Sequence, residues 1–275
     1  MKEMTIKDVQ KVSLDILKDV HIFCVKNNIK YSLCGGSLIG AIRHTGFVPW
    51  DDDIDIIMPR PDYERFIFSY KSANGFKLFS PELDDDIPVR IRMTKVCEME
   101  KTVMENGPYA WTDAITGIGI DVIPAEGAPD TQKEAQRQIA GLTMYAHLIS
   151  LYRTKFASLK EMRKYASIID KLKFLAKKVI SLFVRNDIVN DFIRYQKRYD
   201  YNSSSYFCGG FTYGIGEWQS KKLFDTLVLH AFEDTMIYVF KDYDKYLRNL
   251  FGDYMELPPE NKRVSHHFYR YYWKF

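Results

Sequence analysis

Apolar residues recur at helical spacing from residue 5 to 27, with Ile6, Val9, Leu14, Leu17 and Val20 along one side, which predicts an amphipathic helix. Asn27 and Asn28 are its natural stop. Residues 30–34 predict a short strand, followed by the pair Gly35-Gly36 and a short helix over 37–43. Gly46 and Pro49 punctuate a loop over 44–52. From 53 to 58 the period changes to two, placing Asp53 and Asp55 on one face and Ile54 and Ile56 on the other. Pro59, Pro61 and Asp62 then turn the chain into a helix over 63–72.

Residues 76–80, 88–97 and 117–124 predict further strands, the last with Asp121 near its middle. From about 131 to 200 the pattern is helical, and Ile168, Ile169, Leu172, Leu175, Ala176, Val179, Ile180 and Phe183 form one apolar stripe. Residues 201–275 are aromatic and loop-rich, with a glycine-rich stretch over 209–218 and a helix over 242–250. Strands and helices mixed in this way predict an α/β (α+β) fold with a mixed sheet and an added helical region. Three parts are expected: a catalytic core over 1–130, a basic helical insertion over 131–200, and an aromatic part over 201–275 that completes the core and substrate site.

Composition changes this picture little. The 275 residues are 46% hydrophobic and 27% charged, ordinary for a folded chain, and the net charge of +3 gives no whole-molecule case for nucleic-acid binding. Charge is local: residues 153–198 hold 13 Lys/Arg against 4 Asp/Glu. That basic helical face reads as a solvated surface packed on the domain, or as a docking face for anionic lipid. Cys24, Cys34, Cys97 and Cys208 form no Cys-x-x-Cys pair, so free thiols in a reducing compartment are expected and a zinc site is not. With no signal-peptide core and no long apolar run, a cytoplasmic location is expected, with peripheral contact at the inner face of the plasma membrane.

The chemistry concentrates in residues 34–59. Glycines between a strand and a helix allow a phosphate to approach the backbone, and helix-start amides favour negative charge. Asp53 and Asp55 project together, and paired carboxylates call for a cation such as Mg²⁺, which takes carboxylate and phosphate oxygens. Asp121, an acid on an apolar strand, needs a partner or a metal. Three such acids match metal-assisted phosphoryl transfer, in which one carboxylate accepts the proton of the attacking hydroxyl.

The run Cys34-Gly-Gly-Ser-Leu-Ile-Gly-Ala-Ile-Arg-His-Thr-Gly-Phe-Val-Pro-Trp-Asp-Asp-Asp-Ile-Asp-Ile resembles the signature of the LicD family, which includes fukutin and its relatives. Residues 251–263 are similar to the family's C-terminal motif. The resemblance implies a nucleotidyltransferase-like core and transfer of phosphocholine, or a related phospho-alcohol, from a CDP-activated donor to a glycan such as teichoic acid, on an acceptor that is lipid-linked in one reading. It implies Mg²⁺ or Mn²⁺ on Asp53, Asp55 and Asp121, with Asp121 either third ligand or general base. Donor and acceptor contacts are expected from Gly35, Gly36, Ser37, Arg43, His44, Trp50, Asp52, Arg90, Arg92, Lys95, Arg263 and His266. Arg43 and His44 also suit capping of their own helix. A choline headgroup calls for aromatic faces, and Tyr109, Trp111, Tyr213 and Trp218 are available, with Glu105 or Glu217 as an acidic partner. Two other readings remain: a nucleotidyltransferase that releases pyrophosphate, and a protein that only binds nucleotide or glycan.

Overall fold

The computed structural model describes residues 1–83, 93–105, 117–156, 159, 167–264 and 270–275. Strand β1 (Lys2–Glu3) precedes helix α1 (Ile6–Lys26). Thr5 caps α1 by accepting from the Asp8 amide while the Asp8 carboxylate accepts from the Thr5 amide, so two donors at the helix start are satisfied reciprocally. Val9, Leu14, Leu17 and Val20 are buried, as their spacing predicts.

The expected strand over 30–34 shortens to β2 (Ser32–Leu33). The next helix opens at Gly35, two residues earlier than its pattern implied, and runs as α2 (Gly35–Ile39) before widening into a π-turn over Gly40–His44. The wide turn has a steric cause. The chain doubles back so that a Cβ on Gly40 would lie 2.5 Å from the Gly46 carbonyl oxygen, and only glycine permits that approach. Strand β3 (Asp55–Pro59) begins at Asp55, so Asp53 stands just ahead of it. The alternation still holds, with Asp53 and Asp55 half-buried and Ile54 fully buried. Helix α3 (Arg60–Ser69) starts before residue 63 because Pro61 occupies its first turn, where the missing amide is no loss.

Strands β4 (Lys77–Phe79), β5 (Thr94–Cys97), β6 (Thr102–Glu105) and β7 (Gly119–Ala128) follow. The beginning of the strand expected over 88–97 lies outside the described residues. The main sheet has the order β2-β3-β7-β5-β4. Its β3–β7 pair is parallel and its other pairs are antiparallel. Mixed pairing of this kind, with helices covering the sheet, is an α+β arrangement.

Helices α4 (Gln132–Thr154), α5 (Ile168–Ser181) and α6 (Ile188–Gln196) come next. Helices α4 and α6 close over a second apolar cluster that includes Ile139, Leu142, Val189 and Phe192. The stripe on α5 departs from the ordinary expectation. Only Phe174 and Ser181 of this helix are buried, and the stripe itself faces outward.

The C-terminal part is less loop-like than its composition suggested. It holds β8 (Tyr206–Cys208), β9 (Trp218–Ser220), the hairpin β10 (Leu227–Phe232) and β11 (Thr235–Phe240), α7 (Tyr243–Phe251) and β12 (Arg270–Trp273). Strand β8 extends the far end of β7 and pairs in turn with β9. Strand β12 lies between β1 and β6 in a separate three-stranded sheet.

A buried ionic network locks the helical part to the sheet. Arg60, 7% exposed, binds Glu126 through two nitrogens and Glu82 at 2.7 Å, and Lys197, just past the end of α6, reaches Glu82 at 2.6 Å. A bidentate guanidinium satisfies a carboxylate that burial would otherwise leave at great cost. All four cysteines are buried free thiols. Among the described residues, no helix is long and apolar enough to cross a membrane.

Candidate active site

The glycine pair and the acids meet at one end of the main sheet. Asp55 and Asp121 are direct partners in the parallel β3–β7 ladder, and Lys95 is the partner of Asp121 on β5. Three strands therefore bring Asp55, Asp121 and Lys95 into one row. Lys95 forms an ion pair with Asp121 Oδ1, and its ammonium is held above its usual range by that carboxylate although burial opposes it.

Helix α2 is fastened to this row by its backbone and by Ser37. The Cys34 amide donates to the Asp55 carbonyl at 3.1 Å, and Ser37 Oγ accepts from the Asp55 amide at 2.8 Å. A methyl group on Gly35 would sit 3.6 Å from Asp55 Oδ2, and one on Gly36 would sit 3.1 Å from Asp51 Oδ2. Gly35 also has φ +53°, a left-handed conformation that favours glycine. Ser37 thus has a structural bond besides the phosphate contact expected of it.

The acids are close enough to act on one another. Burial pushes the Asp55 carboxyl well above the usual carboxylate range, and the charges of Asp53, Asp121 and Asp51 push it further while Lys95 opposes them. The buried Cys34 thiol is raised by desolvation and then by the charges of Asp55, Glu217, Asp121 and Asp53. Glu217, which the sequence offers as a partner for choline, joins this group. It is 8% exposed, and burial raises it to about 7 against the pull of the Tyr213 and Thr212 backbone.

Among the described residues, no three His, Cys, Asp or Glu side chains, Asp53, Asp55 and Asp121 included, are grouped so that together they could hold a metal ion. The set is instead open, a desolvated carboxylate repelled by its neighbours. Such a set fits Mg²⁺, which is commonly held by one or two carboxylates with substrate phosphates completing its shell. Asp53 and Asp55 would hold the ion. Asp121 already carries Lys95 on one oxygen.

A second cluster joins the two sequence motifs. Arg43 donates from Nε to His44 Nε2 at 2.9 Å and from one terminal nitrogen to the carbonyls of Tyr254 at 2.8 Å and Glu256 at 3.3 Å. Arg43 therefore grips the C-terminal segment rather than capping its own helix. Burial and then the Arg43 charge lower the His44 pKa. His44 packs edge-on against Trp50, and the Arg263 guanidinium lies over the Trp50 ring, 5.8 Å from its centre. Asp52 donates from its amide to Asp51 Oδ1 at 3.2 Å.

Two supports of this loop carried no sequence signal. Gln10 on α1 donates to the Asp51 carbonyl at 2.8 Å, and Glu233 in the β10–β11 turn accepts from the Phe47 amide at 3.0 Å. Both reach across more than thirty residues, which no local pattern reveals. Tyr246 on α7 is a third case, a buried phenol whose pKa is raised by desolvation and then by the nearby Cys34 and Glu217.

The aromatic candidates separate. Tyr213, 44% exposed, packs against Phe251 and stands near Asp55, Glu217 and Asp53, whose charges add to burial in raising its phenol. Trp218 stacks on Tyr206, donates to the Pro129 carbonyl, and lines a cavity of about 720 Å³ with Lys222 and Lys245. Arg90, Arg92, Tyr109, Trp111 and His266, and the Glu105 side chain, lie outside the described residues.

Residues 28–83 match the LicD/FKTN/FKRP nucleotidyltransferase domain. The chain is 29% identical over 276 aligned residues to the lipopolysaccharide cholinephosphotransferase LicD of Haemophilus influenzae, with 97% of each protein covered. The chain is thus similar to LicD proteins over nearly its whole length, and its residues 28–83 match the family's nucleotidyltransferase domain. Two uncharacterised rickettsial proteins match shorter stretches of the chain. That of Rickettsia typhi is 42% identical over 67 residues, covering 24% of this chain and 22% of its own. That of Rickettsia prowazekii is 46% identical over 86 residues, covering 26% of this chain and 32% of its own. The family match contains the glycine pair, Arg43, Trp50, Asp53 and Asp55, while Asp121, Glu217 and Arg263 reach the same region from outside it.

Proposed function

We propose that this protein is a transferase that moves phosphocholine, or a related phospho-alcohol, from a CDP-activated donor to a hydroxyl of a surface glycan. The observation that carries the reading is the convergence of Gly35-Gly36 with Asp53, Asp55 and Asp121 in a family whose full-length Haemophilus relative is named as a cholinephosphotransferase. A lipopolysaccharide-type acceptor follows that relative's name, and a teichoic-type glycan offers the same hydroxyl chemistry.

In this reading the Gly36 and Ser37 amides at the start of α2 face the donor diphosphate, where a helix start favours anions. Asp53 and Asp55 would hold Mg²⁺, which when bound neutralises charge on the diphosphate. The acceptor oxygen forms a bond to the choline-bearing phosphorus, the bond from that phosphorus to the CMP oxygen breaks, and CMP leaves. Asp121, with Lys95 on its other side, takes the hydroxyl proton. Tyr213 offers an aromatic face beside Glu217, a pairing that suits a quaternary ammonium. Arg263 and the Arg43–His44–Trp50 cluster border the nucleotide or acceptor side. The helical segment 131–200 serves as an accessory unit fixed to the core through Arg60, Glu82 and Lys197.

Product identity tests the reading. Purified protein with Mg²⁺, CDP-choline and a choline-free glycan should release CMP, resolved by chromatography. Pyrophosphate from a nucleoside triphosphate, with no CMP from any CDP-alcohol, would establish nucleotidyl transfer instead.

A further inference from the structure

Helix α5 presents an apolar surface to solvent. Ile168 is 75% exposed, Leu172 59%, Val179 57% and Phe183, just past its end, 84%. Ile169, Leu175 and Ile180 are exposed as well. At 100° per residue these side chains fall on one continuous face, opposite Phe174 and Ser181, the two that are buried. Isolated exposed apolar residues are ordinary, but a contiguous set along one helix marks an interaction surface.

The charges around that face select its occupant. Lys171 and Lys178 fall on one shoulder of the helix and Lys173 and Lys177 on the other, between the apolar face and the body of the protein. Asp170 is the one acid of the helix. A second copy of this helix would bring like charges to both shoulders, which opposes self-pairing. An anionic bilayer accommodates both features at once. The aliphatic face enters the acyl boundary, and the lysines extend along it to reach headgroup phosphates.

We propose that α5 is an in-plane membrane helix that docks the protein on an anionic lipid surface. Docking would hold the enzyme where a lipid-linked glycan acceptor is presented. It does not rest on the transferase reading, because vesicle binding needs neither donor nor acceptor.

Co-flotation of the full chain with vesicles tests this, using phosphatidylglycerol/phosphatidylcholine mixtures beside pure phosphatidylcholine. Wild-type protein should float with the anionic vesicles at low salt and bind the neutral ones far more weakly. Leu172→Asp with Val179→Asp should abolish flotation while the far-UV melting curve stays unchanged, since both residues are exposed. Lys171→Glu, Lys173→Glu and Lys177→Glu together should lower partitioning into anionic vesicles on the order of 100-fold or more. Wild-type protein that stays with the aqueous fraction would overturn the proposal. So would a dimer in sedimentation equilibrium that the aspartate pair dissociates, with no vesicle binding.

Discussion

Asp55 and Asp121 stand side by side in the parallel β3–β7 ladder, two carboxylates with the Lys95 ammonium answering one of them. The pairing leaves Asp55 desolvated and repelled by Asp53, Asp121 and Asp51. Repulsion of this kind destabilises the empty fold and favours a cation, so activity and stability should respond to mutation in opposite directions.

Asp55→Asn separates these effects. It should lower transfer activity on the order of 10²–10⁴-fold, yet raise the melting temperature of the metal-free protein. Added Mg²⁺ should raise the melting temperature of the wild type and leave the variant unchanged. Thermal melts with and without Mg²⁺ provide the check, and a less stable Asp55→Asn protein would contradict the repulsion account.

Lys95→Met tests the other end of the row. Breaking a fully buried pair costs about 3–5 kcal/mol. The Lys95 side chain is 35% exposed and that of Asp121 15%, so water offsets part of this loss and about 1–3 kcal/mol is expected. Urea unfolding measures it. The double change Lys95→Met with Asp121→Asn should recover much of the stability and none of the activity.

Glu217 predicts a pH dependence of stability. Burial raises its pKa from 4.5 to about 7, so the folded chain holds this proton more tightly than the unfolded one. Its contribution is therefore most favourable below pH 4.5, falls as pH rises to about 7, and is level above that. Glu217→Gln should flatten the decline and stabilise the protein at pH 8 by roughly 3 kcal/mol at most. Chemical denaturation of both proteins from pH 5 to pH 8 resolves the difference, and parallel curves would contradict it.

Gly40→Ala probes the turn that carries Arg43 and His44. The new methyl would meet the Gly46 carbonyl at 2.5 Å and the Val48 amide nitrogen at 3.1 Å, both backbone atoms. Because backbone yields poorly, a loss of about 1–3 kcal/mol is expected. Gly36→Ala meets the Asp51 carboxylate at 3.1 Å, a side chain able to swing aside, so it should cost less stability while reducing donor binding. Comparison of melting temperatures and CDP-choline affinity for the two variants distinguishes scaffold from site.

The dense motif made half of this site legible from sequence. Alternation placed Asp53, Ile54 and Asp55 correctly, because period-two patterning survives even where the strand itself starts two residues late. The apolar run around Asp121 revealed an acid needing a partner, but not that its neighbours across the sheet would be Asp55 and Lys95, since register is a long-range property. Tyr246, Gln10 and Glu233 reach the site through tertiary contacts and left no local signal, and Glu217 was legible only as one of two candidate acids for choline. The α5 stripe shows the opposite limit. Its period was correct, but periodicity states which residues share a face and not whether that face is covered. The glycine-rich stretch 209–218 made the neighbouring β8 and β9 read as loop, whereas the hairpin β10–β11, with no glycine in it, was hidden by the general abundance of aromatics.

The most direct measurement is transfer of label from CDP-[¹⁴C]choline to a choline-free lipopolysaccharide-type glycan, with Mg²⁺ and with a chelator. Label in the glycan that is lost with chelator and in Asp55→Asn is the expected result. Unlabelled glycan with every CDP-alcohol and acceptor offered, or labelling undiminished in Asp55→Asn, would contradict the assignment of chemistry to this row of acids.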